Sequence, residues 1–245
     1  IAVGPGDKVY LAGRDSVLVC NTGGVELACF KLDEPARCVA SGPGGLILVG
    51  MANHVEGFDQ AGNRKFTWES LGENAKITSI ACTSNRVFIA DFGSRLVWVF
   101  DHDGRLTGRI GGRDAAKGET GFILPSPNFD LAADPDGSIW VANSGMLRVE
   151  HYTAEGQLIS QWGHAAMTPE GFCGCCNPSH LALGPGGVFY TSEKGLARVK
   201  EYKPDGTLAA FVAGPDQFAL EVAGLDLAGD SKGQVLVLDP SETSF

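Results

Sequence analysis

Along the whole chain, apolar and polar residues alternate in short runs, and the runs are separated by clusters of Gly, Asp, Asn and Pro. A period of two predicts strands with one buried face, and the clusters predict tight turns between them. The runs also repeat. DLAADPDGSIWVAN (130–143) superimposes on HLALGPGGVFYTS (180–192) and DLAGDSKGQVLVLD (226–239), and the same frame recurs as CVASGPGGLILVGM (38–51), SIACTSNRVFIAD (79–91) and IAVGPGDKVYLAG (1–13). In the first five copies a second hairpin follows: VLVCNTGGVELACF, VEGFDQAGNRKFTW, VWVFDHDGRLTGRI, VEHYTAEGQLISQW and VKEYKPDGTLAAFV.

Four strands per copy make an antiparallel sheet that cannot bury both faces alone, so the copies are expected to pack radially as propeller blades. The expected architecture is all-β, a single six-bladed β-propeller domain over 1–245. Its blades fall near 1–37, 38–78, 79–129, 130–179, 180–225 and 226–245. The last blade is incomplete, because the chain stops at DPSETSF after that blade's second strand. Its outer strands are expected from residues before Ile1, since an open strand edge otherwise invites pairing.

The frame D-P-D-G-x-I-W-V-A-N, followed by R-V-E-H-Y and a D-G or E-G turn, resembles the NHL repeat of six-bladed propellers, and the resemblance covers essentially the whole chain. NHL-type propellers include interaction platforms and metal-dependent lyases, so the resemblance implies fold more than activity.

Composition narrows the function classes. A net charge of −10 and a pI near 4.9 exclude the basic face that binding to a phosphate backbone requires. No apolar run approaches the roughly 18 residues of a membrane-spanning helix. The chain opens inside a strand-like pattern with no signal peptide or initiator Met, and a processed, exported protein, periplasmic or secreted, is the expectation.

The 7 cysteines change the picture most, since three of them lie in GFCGCCNPSH (171–180). Aligning the copies places Cys20 at a buried outer-hairpin position, Cys29 in a polar outer-strand column and Cys82 in an inner-strand column. Cys38, Ser79, Asp130, His180 and Asp226 share the position at which each inner strand begins, and alternation points that column into the central channel. Gly13, Met51, Asp91, Asn143, Ser192 and Asp239 end the second strands at the same mouth. The cysteine loop enters blade five there, so Cys173, Cys175, Cys176, His180, Asp130 and Asp226 are the candidate metal ligands.

Thiolate and imidazole donors suit Zn, Cu or Fe, or an iron–sulfur centre, although C-G-C-C is not one of the spacings such sites usually show. Adjacent Cys175 and Cys176 are expected to point apart. A disulfide, either Cys173–Cys176 or from the loop to Cys38, and free thiols are the other readings. His164 is a further candidate ligand, while His151 and His102 read as solvated.

Three functions follow. The first is a module that binds a protein partner or small ligand at the channel mouth or on the long loops at 111–128 and 163–179. The second, implied by the resemblance to lyases, is a metal-dependent lyase or hydrolase with its ion in the channel; His180 is the only histidine in the channel-facing columns. The third is a subunit of a redox complex.

Overall fold

The computed structural model describes residues 1–112, 120–218 and 224–240, so part of the expected 111–128 loop lies outside the described residues. The fold is a β-propeller. Blade one contains β1 (Ala2–Gly4), β2 (Lys8–Ala12), β3 (Ser16–Cys20) and β4 (Glu26–Lys31), and blade two contains β5 (Cys38–Ser41), β6 (Ile47–Gly50), β7 (Val55–Phe58) and β8 (Arg64–Thr67). Blade three is β9 (Ile77–Cys82), β10 (Val87–Asp91), β11 (Leu96–Phe100) and β12 (Leu106–Gly111). Blade four is β13 (Leu131–Ala133), β14 (Ile139–Asn143), β15 (Arg148–Tyr152) and β16 (Leu158–Trp162). Blade five is β17 (His180–Leu183), β18 (Phe189–Glu193), β19 (Arg198–Tyr202) and β20 (Leu208–Ala213).

The expectation of six blades is corrected to five. Among the described residues the sixth copy forms a two-stranded sheet, β21 (Asp226–Gly229) with β22 (Val235–Leu238). β21 lies against β17 on one side and β1 on the other, so the innermost strands form a closed ring.

The outer hairpins show how sequence dictates this geometry. Gly24, Gly62, Gly104, Gly156 and Gly206 all have φ between 79° and 89°, a left-handed conformation that glycine adopts without a Cβ clash. The strand pair shifts register by a bulge beside each of these turns, as between Gly57 and Phe58 or His151 and Tyr152. In blade one this bulge sets Cys20 opposite Glu26 and Cys29 opposite Leu18, which keeps the two cysteines out of disulfide register.

Between blades, alternate side chains meet in five apolar clusters. Tyr10, Val17 and Val19 pack on Ile47, Val49 and Phe58 between blades one and two, and Phe129, Leu131 and Val141 pack on Phe88, Val97 and Val99 between blades three and four. Burying one such side chain contributes roughly 1.5–3 kcal/mol. Where β21 and β22 meet blade one the observed bonds are polar: Ser231 donates from its backbone N to Asp7 Oδ1 at 2.9 Å and from Oγ to Asp7 Oδ2 at 2.8 Å.

Candidate functional site

An inner strand has one ladder edge paired within its blade, which leaves the other edge's N–H groups in need of acceptors. The channel column supplies them. Asp130 accepts from its own neighbour Leu131 through Oδ1 and from Leu181 of the next blade through Oδ2, both at 2.9 Å. Leu131 also donates to Ser79 Oγ at 3.3 Å, and Asp226 accepts from Leu227 at 2.9 Å and from the Ile1 nitrogen at 2.5 Å. These side chains therefore join blade three to blade four, blade four to blade five, and β21 to Ile1 beside blade one. The second column acts on the connections instead. Asp91 accepts from the backbone of Lys76 and Gly93, from Ser94 and from the Trp98 indole, and Asn143 accepts from the backbone of Ile123. Burial pushes the Asp91 carboxyl up, but these donors outweigh it and hold the group below the usual carboxylate range.

Around this ring lies a channel cavity of about 280 Å³, lined by Cys38, Ser79, Asp130, His180 and Asp226 together with the backbone of the innermost strands. Burial raises the Asp130 carboxyl above its ordinary value; the facing charge of Asp226 adds to the rise and His180 opposes it. Burial likewise drives the Cys38 thiol up to about 12, which keeps it protonated at neutral pH. His180 differs from the other members of the column. Its Nδ1 is buried and has no hydrogen-bond partner, and Asn128 Nδ2 close by has none either. Gly224 admits this arrangement, since a Cβ there would stand 3.2 Å from His180 Cε1.

The structure divides the six expected ligands. Asp130, His180 and Asp226 share the channel, whereas Cys173, Cys175 and Cys176 are not among the residues lining it. The cause is a clamp on the loop. Asn177 donates to the carbonyls of Cys173 and Lys194 at 2.7 and 3.1 Å and accepts from the Lys194 backbone at 2.9 Å, so the loop sits on the turn between β18 and β19. From the other side, Lys200 Nζ donates to the carbonyls of Pro169 and Gly171 at 3.0 and 2.8 Å, drawing residues 169–171 over the outer half of the blade. Lys200 and Glu193 are fully buried, with Nζ 2.7 Å from Glu193 Oε1, and Arg198 closes the cluster through two bonds to Glu193 at 2.8 and 2.9 Å. Arg148 pairs with Glu150 of its own strand.

Inside the clamp the two adjacent cysteines do not point apart: Cys175 Sγ and Cys176 Sγ are 3.0 Å from each other. Cys175 is exposed and Cys176 buried, and no cysteine of the chain is in a disulfide. His164 is exposed, and its carbonyl accepts from Phe172, outside the channel.

One grouping escaped the sequence. Asp134, Asp136 and His151 bring ligand atoms within 4.8 Å of one another at the turn of the β13–β14 hairpin, and this is the sole such grouping among the described residues. Those atoms are already engaged: Asp136 Oδ1 accepts from Ser138, His151 Nε2 shares a hydrogen bond with Ser138 Oγ, and Asp134 accepts from the Trp140 indole. His151 stacks on Trp140 with ring centroids 3.9 Å apart, so it is a packed residue and not a solvated one. Cross-strand pairing of Trp140 with His151 was the signal available in sequence.

No family model matches the chain. No curated protein matches it either. Among solved structures it is similar to a catalytically inactive virginiamycin B lyase from Staphylococcus aureus with quinupristin, at 13% identity and a TM-score of 0.62 over 96% of this chain and 75% of that one. It is also similar to a streptogramin B lyase (14%, 0.65, over 97% and 74%) and to a glutaminyl cyclase from Myxococcus xanthus (13%, 0.56, over 83% and 85%). The likeness is one of fold. At these identities it says nothing of which residues act, and the site rests on its own geometry.

Among the described residues, no helix is long and apolar enough to cross a membrane.

Proposed function

We propose that the protein is an NHL-type ligand-binding propeller and that its channel takes a small organic cation. The carrying observation is His180: a ring with a buried, unpartnered nitrogen, in a channel that also holds the carboxylates of Asp130 and Asp226. The two acids supply negative potential in a narrow space, where field lines are focused, and His180 supplies a directional polar contact. A volume of about 280 Å³ favours a compact ligand; small-molecule pockets usually start at about 300 Å³.

Calorimetric titration with a panel of primary and quaternary amines tests this reading. Binding that weakens in both His180→Ala and Asp226→Asn supports it, and equal affinity in the parent and both variants would overturn it. A second reading is enzymatic, in keeping with the lyase and cyclase activities of similar structures. It draws on the raised Asp130 carboxyl beside His180, a pair suited to moving a proton. Turnover of a bound amine or amide by the parent, lost in His180→Gln while binding persists, would favour it.

A further inference from the structure

The cysteine loop combines a rigid frame with an exposed, chemically uncommitted tip. Phe172 is fully buried, Lys200 holds the carbonyls of Pro169 and Gly171, and Asn177 ties Cys173 to Lys194. Between these anchors stand Gly174, with φ of 79°, and Cys175, both exposed. Cys176 is 6% exposed, and its sulfur faces Cys175 at 3.0 Å. Lys194 and Ser126 flank the Cys176 sulfur.

We propose that Cys175 and Cys176 form a dithiol–disulfide centre that exchanges with small-molecule disulfides, Cys175 being the entry thiol and Cys176 the resolving one. In the first step the Cys175 thiol gives up its proton to solvent and attacks one sulfur of R–S–S–R. The S–S bond of that disulfide breaks as the Cys175–SR bond forms, the other half leaves as RS⁻ and takes up a proton, and a mixed disulfide remains on Cys175. Cys176, as thiolate, then attacks Cys175 Sγ, and the Cys175–SR bond breaks to release a second RS⁻, protonated to RSH. The two cysteines are oxidised by two electrons and the small disulfide is reduced to two thiols.

Exposure and burial assign the order. Only Cys175 can meet an incoming disulfide, and only Cys176 is held against it within the frame. Burial opposes the Cys176 thiolate, but the hydrogen bond with Cys175, the nearby Ser126 hydroxyl and the charge of Lys194 outweigh burial and lower its pKa. The Cys175 thiol shifts upward, chiefly through its hydrogen bond to Cys176, so exposure rather than thiolate character makes it the entry thiol. Because the loop backbone is already fixed, bringing the sulfurs together costs little chain entropy.

The test uses the full chain carrying Cys29→Ser, which removes the other exposed thiol, treated with oxidised glutathione and read by intact mass and peptide mapping. The expected product has lost two hydrogens, carries no glutathione and maps to a Cys175–Cys176 bond. Cys176→Ser should instead retain one glutathione, on Cys175, while Cys175→Ser should take up none. A stable adduct on the parent, an internal bond mapped to Cys173, or unchanged alkylation of Cys175 and Cys176 after oxidation would each overturn the proposal. Circular dichroism of the two variants separates lost chemistry from lost fold, and the parent's own mass decides the matter if either variant unfolds.

Discussion

The channel column and the cysteine loop both place several polar or soft side chains at one end of the propeller, but they use them in opposite ways. In the column most side chains are consumed: Asp130 and Ser79 accept from backbone N–H groups of the next blade, and Asp226 from Leu227 and the Ile1 nitrogen, leaving His180 as the exception. In the loop the backbone is consumed, by Asn177 and Lys200, and none of the sulfurs is committed to a disulfide. A dense cluster of reactive residue types is therefore a poor guide to a site. The residual capacity after backbone needs are met is a better one.

Four experiments bear on this contrast. The largest effect is expected for Glu193→Ala, which strands the buried charges of Lys200 and Arg198. Removing one partner of such a cluster costs about 3–5 kcal/mol, read by urea denaturation, and hydrogen exchange at 169–176 should rise with it. Unaltered exchange there would show that the loop frame does not depend on the cluster.

Within the column, Asp130→Ala should cost about 1–3 kcal/mol because the amides of Leu131 and Leu181 lose an acceptor. His180→Ala, with no bond from Nδ1 to lose, should cost clearly less. Equal losses would erase the distinction drawn between staple and free group.

A smaller effect concerns pH. The Asp130 carboxyl titrates in the folded state above its ordinary 3.8, so the folded state binds that proton more tightly than the unfolded chain does. Its contribution to stability is fully present below pH 3.8 and is lost as pH rises through the raised value. The stability of the parent relative to Asp130→Asn should therefore improve as pH falls through that window. NMR titration in Asp226→Asn should bring the Asp130 midpoint down, because a facing negative charge has gone. A midpoint that stays put would remove Asp226 from the account.

The smallest effect is a matter of rates. Iodoacetamide at neutral pH should label the exposed Cys175 and Cys29 first, while Cys38 and Cys82, whose thiols burial raises to about 12, lag behind. Early labelling of Cys38 would mean that the channel is more open than its lining implies.

Much of the fold was legible because its determinants are local. Period-two alternation and Gly62- or Gly104-type turns specify hairpins wherever they occur, and the repeat then dictates radial packing. The five clusters between sheets follow from those alternating positions. The blade count was less secure, since the sixth copy carries the inner-hairpin frame of a blade but forms a two-stranded sheet among the described residues. The column of Cys38, Ser79, Asp130, His180 and Asp226 lines the channel, because strand register sets which way it faces. What the repeat could not show was the course of the inserted loop, because the repeat frame does not extend into it. Its position depends on Lys200, which occupies a strand column where other copies have Glu56, Trp98 or Glu150, and on Asn177, a residue outside the repeat. His151 was misjudged for a related reason: an outer-strand position reads as wet until the facing Trp140 is known to cover it.

The staples between blades carry a consequence for how the molecule assembles. Ser79 to Leu131 and Asp130 to Leu181 each join neighbouring repeats about one blade apart in sequence, so docking can proceed stepwise with short chain loops. Asp7 to Ser231 spans 224 residues and must await the rest. Loop-closure entropy grows only logarithmically with that separation, so the penalty falls on the search time more than on the final stability. A circular permutant opened at the exposed Gly174 would exchange the two situations: Asp7 and Ser231 would become close in sequence, and a contact that is now an early neighbour would become the last to form.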